Sequence, residues 1–130
     1  MKIGFIHEKN ELYTKTRMSY LVSKGHDIVS ITFPSQKRLI PIDGVNQVEL
    51  PNLFINKLKF IRRLIYFIHI RNITKKYNLD LLHIVNIANS FLGVISFSKK
   101  IVVEIQGSDV LKLPNDYPLL KLIYKIFFNI

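Results

Sequence analysis

The chain has 130 residues, 48% of them hydrophobic and 22% charged; 19 Lys and Arg against 9 Asp and Glu give a net charge of +10, and there is no Cys and no Trp. This composition excludes a disulfide scaffold, a cysteine-ligated zinc site and a disordered polar chain. A chain of this length buries roughly two-thirds of its extended surface, enough for one domain with a core of its own.

Lys2-Ile3-Gly4-Phe5-Ile6-His7 is a nearly continuous apolar run, the pattern of a central strand covered on both faces. Its apolar part is too short for a secretory signal, so cytoplasmic residence is expected. From Glu11 to Lys24, Thr14, Met18, Leu21 and Val22 form a helical stripe, and Gly25 is a C-terminal stop. His26 to Phe33 is β-branched and ends at Pro34, which predicts a second strand; Pro34 to Gly44 reads as a loop, and Gln47 to Leu50 as a short edge strand.

Lys57 to Tyr77 is the longest helical pattern. Leu58, Ile61, Leu64, Ile65 and Ile68 are expected to form its buried stripe, while Lys57, Lys59, Arg62, Arg63, Arg71, Lys75 and Lys76 carry positive charge with no acid between them. Asp80 to Asn86 predicts a strand, Ala88 to Phe97 an apolar helix and Lys100 to Ile105 another strand. The uncharged run from Leu81 to Ser98 is interrupted by polar residues, and a strand followed by a buried helix suits it better than a membrane span of about 20 apolar residues. Alternating strands and helices predict an α/β fold: an open parallel sheet in three αβα layers, Rossmann-like, as one domain over 1–130. Beyond Pro118 the sequence is apolar around most of a helix, with Lys121 and Lys125 as its charges, so this segment is expected to lie against more than one sheet face, another chain or lipid, as half of a larger unit.

Ligands of open parallel sheets sit beyond the strand carboxyl ends. The residues there are His7-Glu8, Phe33-Pro34, Asn86 and Gln106-Gly107-Ser108-Asp109. The turn after Ile6 has no glycine, which argues against a dinucleotide or P-loop site and for no bound cofactor. The four histidines include no pair at i, i+4, so no metal site is expected. His26 reads as a strand-start surface residue and His69 as part of the basic helix. His83, within an apolar strand, is either a hydrogen-bonded structural residue or a ligand contact; His7, ending a strand, is the better functional candidate. Gly107 allows a sharp turn, and Ser108 and Asp109 either cap the next helical turn or offer oxygens to a polyhydroxylated ligand.

The order M-K-I-G-F-I-H, L-V-S-K-G-H-D-I-V-S-I-T, N-L-D-L-L-H-I-V-N, K-I-V-V-E-I-Q-G-S-D-V resembles the N-terminal domain of family 4-like glycosyltransferases of the GT-B fold over essentially the whole chain. The resemblance implies an acceptor-binding half, with the nucleotide-sugar held chiefly by a second domain that carries an acidic E-x7-E signature. By position it maps Gly107, Ser108 and Asp109 onto the family's H-G-S-D loop and His83 onto its D-x-x-H strand. Two departures stand out. Glu8-Lys9-Asn10-Glu11 replaces a glycine-rich loop, and Gln106 replaces the loop histidine with a side chain that hydrogen-bonds but does not shuttle protons near neutrality.

The expected function is therefore the acceptor side of a transferase in cell-surface polysaccharide or glycolipid assembly. It would move sugar from a nucleotide-sugar to a glycan or lipid-linked acceptor and be inactive alone, with His7, His83, Gln106, Gly107, Ser108 and Asp109 as substrate contacts. The alternative is a non-catalytic, membrane-associated subunit of a split transferase. The basic helix has two readings of its own: attraction to an anionic membrane at the inner face of the cell, at about 1 kcal/mol per nearby Lys or Arg, or a solvated face. Nucleic acid, suggested by Phe60, Tyr66 and Phe67 among the charges, ranks below both.

Overall fold

The computed structural model describes residues 1–8, 12–35, 39–53, 59–85 and 99–104. The expected helices over 88–97 and beyond Pro118, the loop Gln106–Asp109 and Lys57 lie outside them. The described elements are β1 (Lys2–His7), α1 (Leu12–Ser23), β2 (Asp27–Thr32), β3 (Val45–Glu49), α2 (Lys59–Lys76), β4 (Leu81–Val85) and β5 (Lys100–Glu104). The strands form one parallel sheet in the order β3-β2-β1-β4-β5. β1 is central: Lys2 pairs with Asp27 on one side and Ile3 with Leu81 on the other.

Right-handed crossovers place helices on opposite faces when the chain moves in opposite directions along the sheet. α1 links β1 to β2 and lies on one face, where Met18 packs with Ile3, Phe5 and Ile28. α2 precedes β4 on the other side of β1, and its Tyr66 and Ile70 join Ile6, Val29, Ile31, Leu82 and Ile84 on the opposite face. The expected α/β three-layer fold is thus formed.

Both helices end in left-handed turns. After α1, Gly25 has φ 79°, its amide donates to the Val22 carbonyl at 2.9 Å, and the His26 amide donates to that of Leu21 at 3.1 Å. α2 does the same with Asn78 at φ 48°: the Asn78 amide donates to the Lys75 carbonyl at 3.0 Å and the Leu79 amide to that of Thr74 at 3.1 Å. This is the Schellman arrangement, and Asn is the side chain that best tolerates the conformation after Gly.

Two expectations need correction. The edge strand begins at Val45, two residues before the expected Gln47. More consequentially, α2 buries a different stripe. Ile61, Leu64 and Ile68 are exposed and Ile65 is half-buried, whereas Tyr66, Ile70 and Thr74 are buried with Ile73 and Tyr77 partly covered. The α2 sequence is apolar on two faces, and periodicity alone does not choose between them. The choice is made downstream: the turn at Asn78 sends Leu79, fully buried, into the core beside Leu82, so the helix face continuous with Leu79 is the one against the sheet.

Candidate functional site

Side chains alternate across a strand, and directly paired residues of parallel strands share a face. On the α1 face the rows grow more polar toward the carboxyl ends. Ile3 pairs with Ile28 and Leu81 in one row, Phe5 with Ser30 and His83 in the next. Further on, His7 pairs with Thr32 and Val85 with Glu104. The polar end of this face is the end at which open α/β sheets hold ligands.

Two clusters form there. In the first, His7 Nδ1 lies 2.6 Å from the Glu8 carbonyl oxygen and Nε2 2.8 Å from Ser30 Oγ. A carbonyl only accepts, so Nδ1 carries the proton and Nε2 accepts from the Ser30 hydroxyl. Burial lowers the His7 pKa from its ordinary value, against the opposing effect of the Glu8 carbonyl, so the ring is neutral at pH 7. Beside it Thr32 Oγ1 is fully buried and has no hydrogen-bond partner among the described residues. Such a group is costly unless a water or ligand satisfies it.

In the second cluster, Arg17 from α1 grips the Glu104 carboxylate with both terminal nitrogens, Nη1 closely on Oε2 and Nη2 at 3.5 Å from Oε1. His83 Nε2 lies 3.1 Å from the same Oε2 and 3.4 Å from Arg17 Nη1. Because a carboxylate only accepts, Nε2–H donates to Glu104. The His83 ring rests against Phe5 with centroids 4.7 Å apart, and the Arg17 guanidinium sits 4.4 Å from the Tyr13 ring centroid. Burial, then the Arg17 charge, lowers the His83 pKa, with Glu104 opposing. The three side chains are 13–26% exposed, so the cluster is partly desolvated yet reachable from solvent.

The depressed histidines predict a sign for acid stability. Each binds its proton more readily in the unfolded chain, so their contribution is intact above about pH 6.5 and is lost as pH falls from there toward the folded-state value. Urea unfolding midpoints followed from about pH 8 to about pH 5 should fall on the acid limb. His7→Gln, which keeps a hydrogen-bonding side chain without a titration, should flatten that limb.

The sequence nominates His7 and His83, and both lie on this face, His7 buried with its two nitrogens engaged and His83 half-buried in the charged cluster. Gln106–Asp109, which follow β5, lie outside the described residues. Ser30, Thr32, Arg17 and Glu104 are not nominated by the sequence. Glu104 carries a legible signal, an acid within K-I-V-V-E-I, while Arg17 is one base among many and Ser30 and Thr32 are ordinary strand residues. Of the basic set, Arg63, Arg71, Lys75 and Lys76 are exposed on α2 and Arg62 is half-buried. Among the described residues, no three His, Cys, Asp or Glu side chains come together as metal ligands and no helix is long and apolar enough to cross a membrane.

The family model described as glycosyl transferase 4-like matches residues 2–129. The chain belongs to that family. A crystal structure of a glycosyltransferase from Rickettsia africae ESF-5 is similar to it with a TM-score of 0.57 and 18% identity, over 92% of this chain and 34% of that one. At that identity the likeness concerns the fold, and the chain spans about a third of the length of that transferase. No curated protein sequence matches this family member at comparable stringency. The resemblance to family 4-like glycosyltransferases seen in the sequence is therefore correct.

Proposed function

We propose that this glycosyl transferase 4-like domain is the acceptor-binding half of a glycosyltransferase and is inactive alone. In the complete catalyst the bond between the anomeric carbon and the nucleotide diphosphate breaks while an acceptor hydroxyl oxygen bonds to that carbon and loses its proton. The donor is held by a second domain or subunit. The acceptor is a glycan or lipid-linked saccharide of cell-surface polysaccharide or glycolipid assembly, met on the cytoplasmic side of the membrane, with the positive face of α2 drawn to anionic lipid.

The single observation that supports this reading best is the concentration of Ser30, Thr32, His7, His83 and Glu104 at the carboxyl-end rows of one sheet face in a chain of this family. Hydroxyls and neutral imidazoles both donate to and accept from saccharide hydroxyls, and a carboxylate accepts from them. In this reading Gln106, Gly107, Ser108 and Asp109, which stand in sequence where the family has its H-G-S-D loop, are further substrate contacts.

The test is ligand-observed NMR on the full chain with free oligosaccharides, polyprenyl-diphosphate-linked saccharides and UDP- and GDP-sugars, alongside a transfer assay. Saturation transfer to acceptors is expected, with none to the nucleotide-sugars and no product. Transfer by this chain alone, or nucleotide-sugar binding without acceptor binding, would overturn the proposal.

A further inference from the structure

The face of α2 turned away from the sheet is not uniformly polar. Ile61, Leu64 and Ile68 stand at i, i+3 and i+7, so they follow one another along a single ridge, and they are 40%, 49% and 49% exposed. The ridge continues through Arg71 and Lys75, three and seven residues after Ile68, both exposed, and Lys76 is exposed next to Lys75. The core takes nothing essential from this side, since Tyr66, Ile70 and Thr74 make the contact with the sheet layer. Lone exposed aliphatics are ordinary on a protein surface; three in a row on one helix, within a segment of 18 residues that has basic side chains and no acid, are not.

The charge settles which partner fits. A protein partner for this ridge would have to match aliphatic side chains and cations with an acidic, apolar surface of defined shape. An anionic bilayer supplies both properties without shape: headgroups for the Lys and Arg, acyl chains for the Ile and Leu. An amphipathic helix lying in the interface buries its apolar face about 5–10 Å deep, and long basic side chains reach back to the headgroups. None of the described helices is long and apolar enough to cross a membrane, and α2, with its basic side chains, has the character of a helix lying in the interface plane.

We propose that α2 is an in-plane membrane-docking helix in which Ile61, Leu64 and Ile68 insert into the acyl boundary of an anionic leaflet while Arg71, Lys75 and Lys76 hold the headgroups. This rests on the peripheral-membrane part of the function proposed above and changes its character. Charge alone gives adsorption that salt removes, because at 1 M the Debye length is only about 3 Å. Insertion gives a component that survives salt.

The experiment is flotation of the full chain with vesicles of phosphatidylcholine, alone or with phosphatidylglycerol in a two-to-one ratio, at low and at high salt. Wild type should float with the anionic vesicles and keep a measurable fraction bound at high salt. Ile61→Ser/Leu64→Ser/Ile68→Ser should lose the salt-resistant fraction and weaken partitioning at low salt by at least about tenfold, while its thermal melt stays near that of wild type because the ridge is outside the core. Arg71→Glu/Lys75→Glu should instead lose mainly the low-salt binding. Since the chain has no Trp, Leu64→Trp is a probe without background, and its emission should shift to the blue on anionic vesicles only.

A triple variant that binds like wild type, or a Leu64→Trp probe whose emission does not move on binding, would overturn insertion while leaving electrostatic adsorption standing. Wild type that ignores anionic vesicles at low salt would overturn the peripheral reading itself. A dimer abolished by the triple variant, with no lipid binding, would also overturn the proposal by assigning the ridge to a second copy of the chain.

Discussion

Gly4→Ala is expected to destabilise the domain by about 1–3 kcal/mol, because extra carbon has no space at the centre of β1. A β-carbon there would stand 2.5 Å from Leu79 Cδ1 and 3.0 Å from Leu82 Cδ1, and both leucines are fully buried in the α2-side core. Leu79→Ala on its own should cost about 2–5 kcal/mol by emptying the same volume. The double substitution is the decisive measurement. The alanine methyl at position 4 enters the space that Leu79 vacates, so the paired loss read from urea unfolding should be clearly smaller than the sum of the single losses. Additive losses would mean that the two side chains do not meet in solution.

Glu104→Ala carries the second large effect. The carboxylate is the shared acceptor of Arg17 and His83, and without it the Arg17 charge keeps only the His83 Nε2 contact at 3.4 Å, with the ring accepting in its other tautomer, in a partly desolvated setting. A loss of about 1–3 kcal/mol is expected for donors left without their acceptor. The same change has a direction in the titration of His83. Burial and Arg17 already push its pKa down and Glu104 is the group holding it up. Removing Glu104 therefore moves the imidazole titration, followed by NMR, to lower pH, and extends the acid destabilisation to lower pH in the same sense. Glu104→Gln keeps one acceptor oxygen without the charge; it should retain more stability than the alanine variant yet show a similar titration shift. An unchanged His83 titration in both variants would separate the histidine from the cluster.

The fold was readable because its determinants are local. Ile3 to Ile6 and Ile28 to Thr32 are short runs buried on both faces, and Gly25 marks the end of α1 for the reason chemistry gives, a left-handed turn. The α2 stripe was not readable, since a helix with Ile61, Leu64, Ile65, Tyr66, Phe67, Ile68, Ile70 and Ile73 offers two apolar faces and only the entry of Leu79 into the core distinguishes them. At the candidate site, His7 and His83 announce themselves as rare polar residues inside apolar strands. Arg17 and Glu104 lie 87 residues apart, and no local pattern links them. Their meeting is a product of strand order, which places β5 beside β4 on the face that α1 covers.

That strand order also bears on how the chain folds as it is made. Of the described strands the one at the middle of the sheet leaves the ribosome before the others, and its β2 partner follows at Asp27 while its β4 partner begins only at Leu81. With synthesis at roughly 5–20 residues per second, one flank of β1 waits several seconds for a mate after the other is filled. During that interval Gly4 and Ile6 present an open edge to whatever is nearby, so nascent-chain chaperones would be needed most between the emergence of β2 and that of β4, and pausing within that stretch would lengthen the hazard.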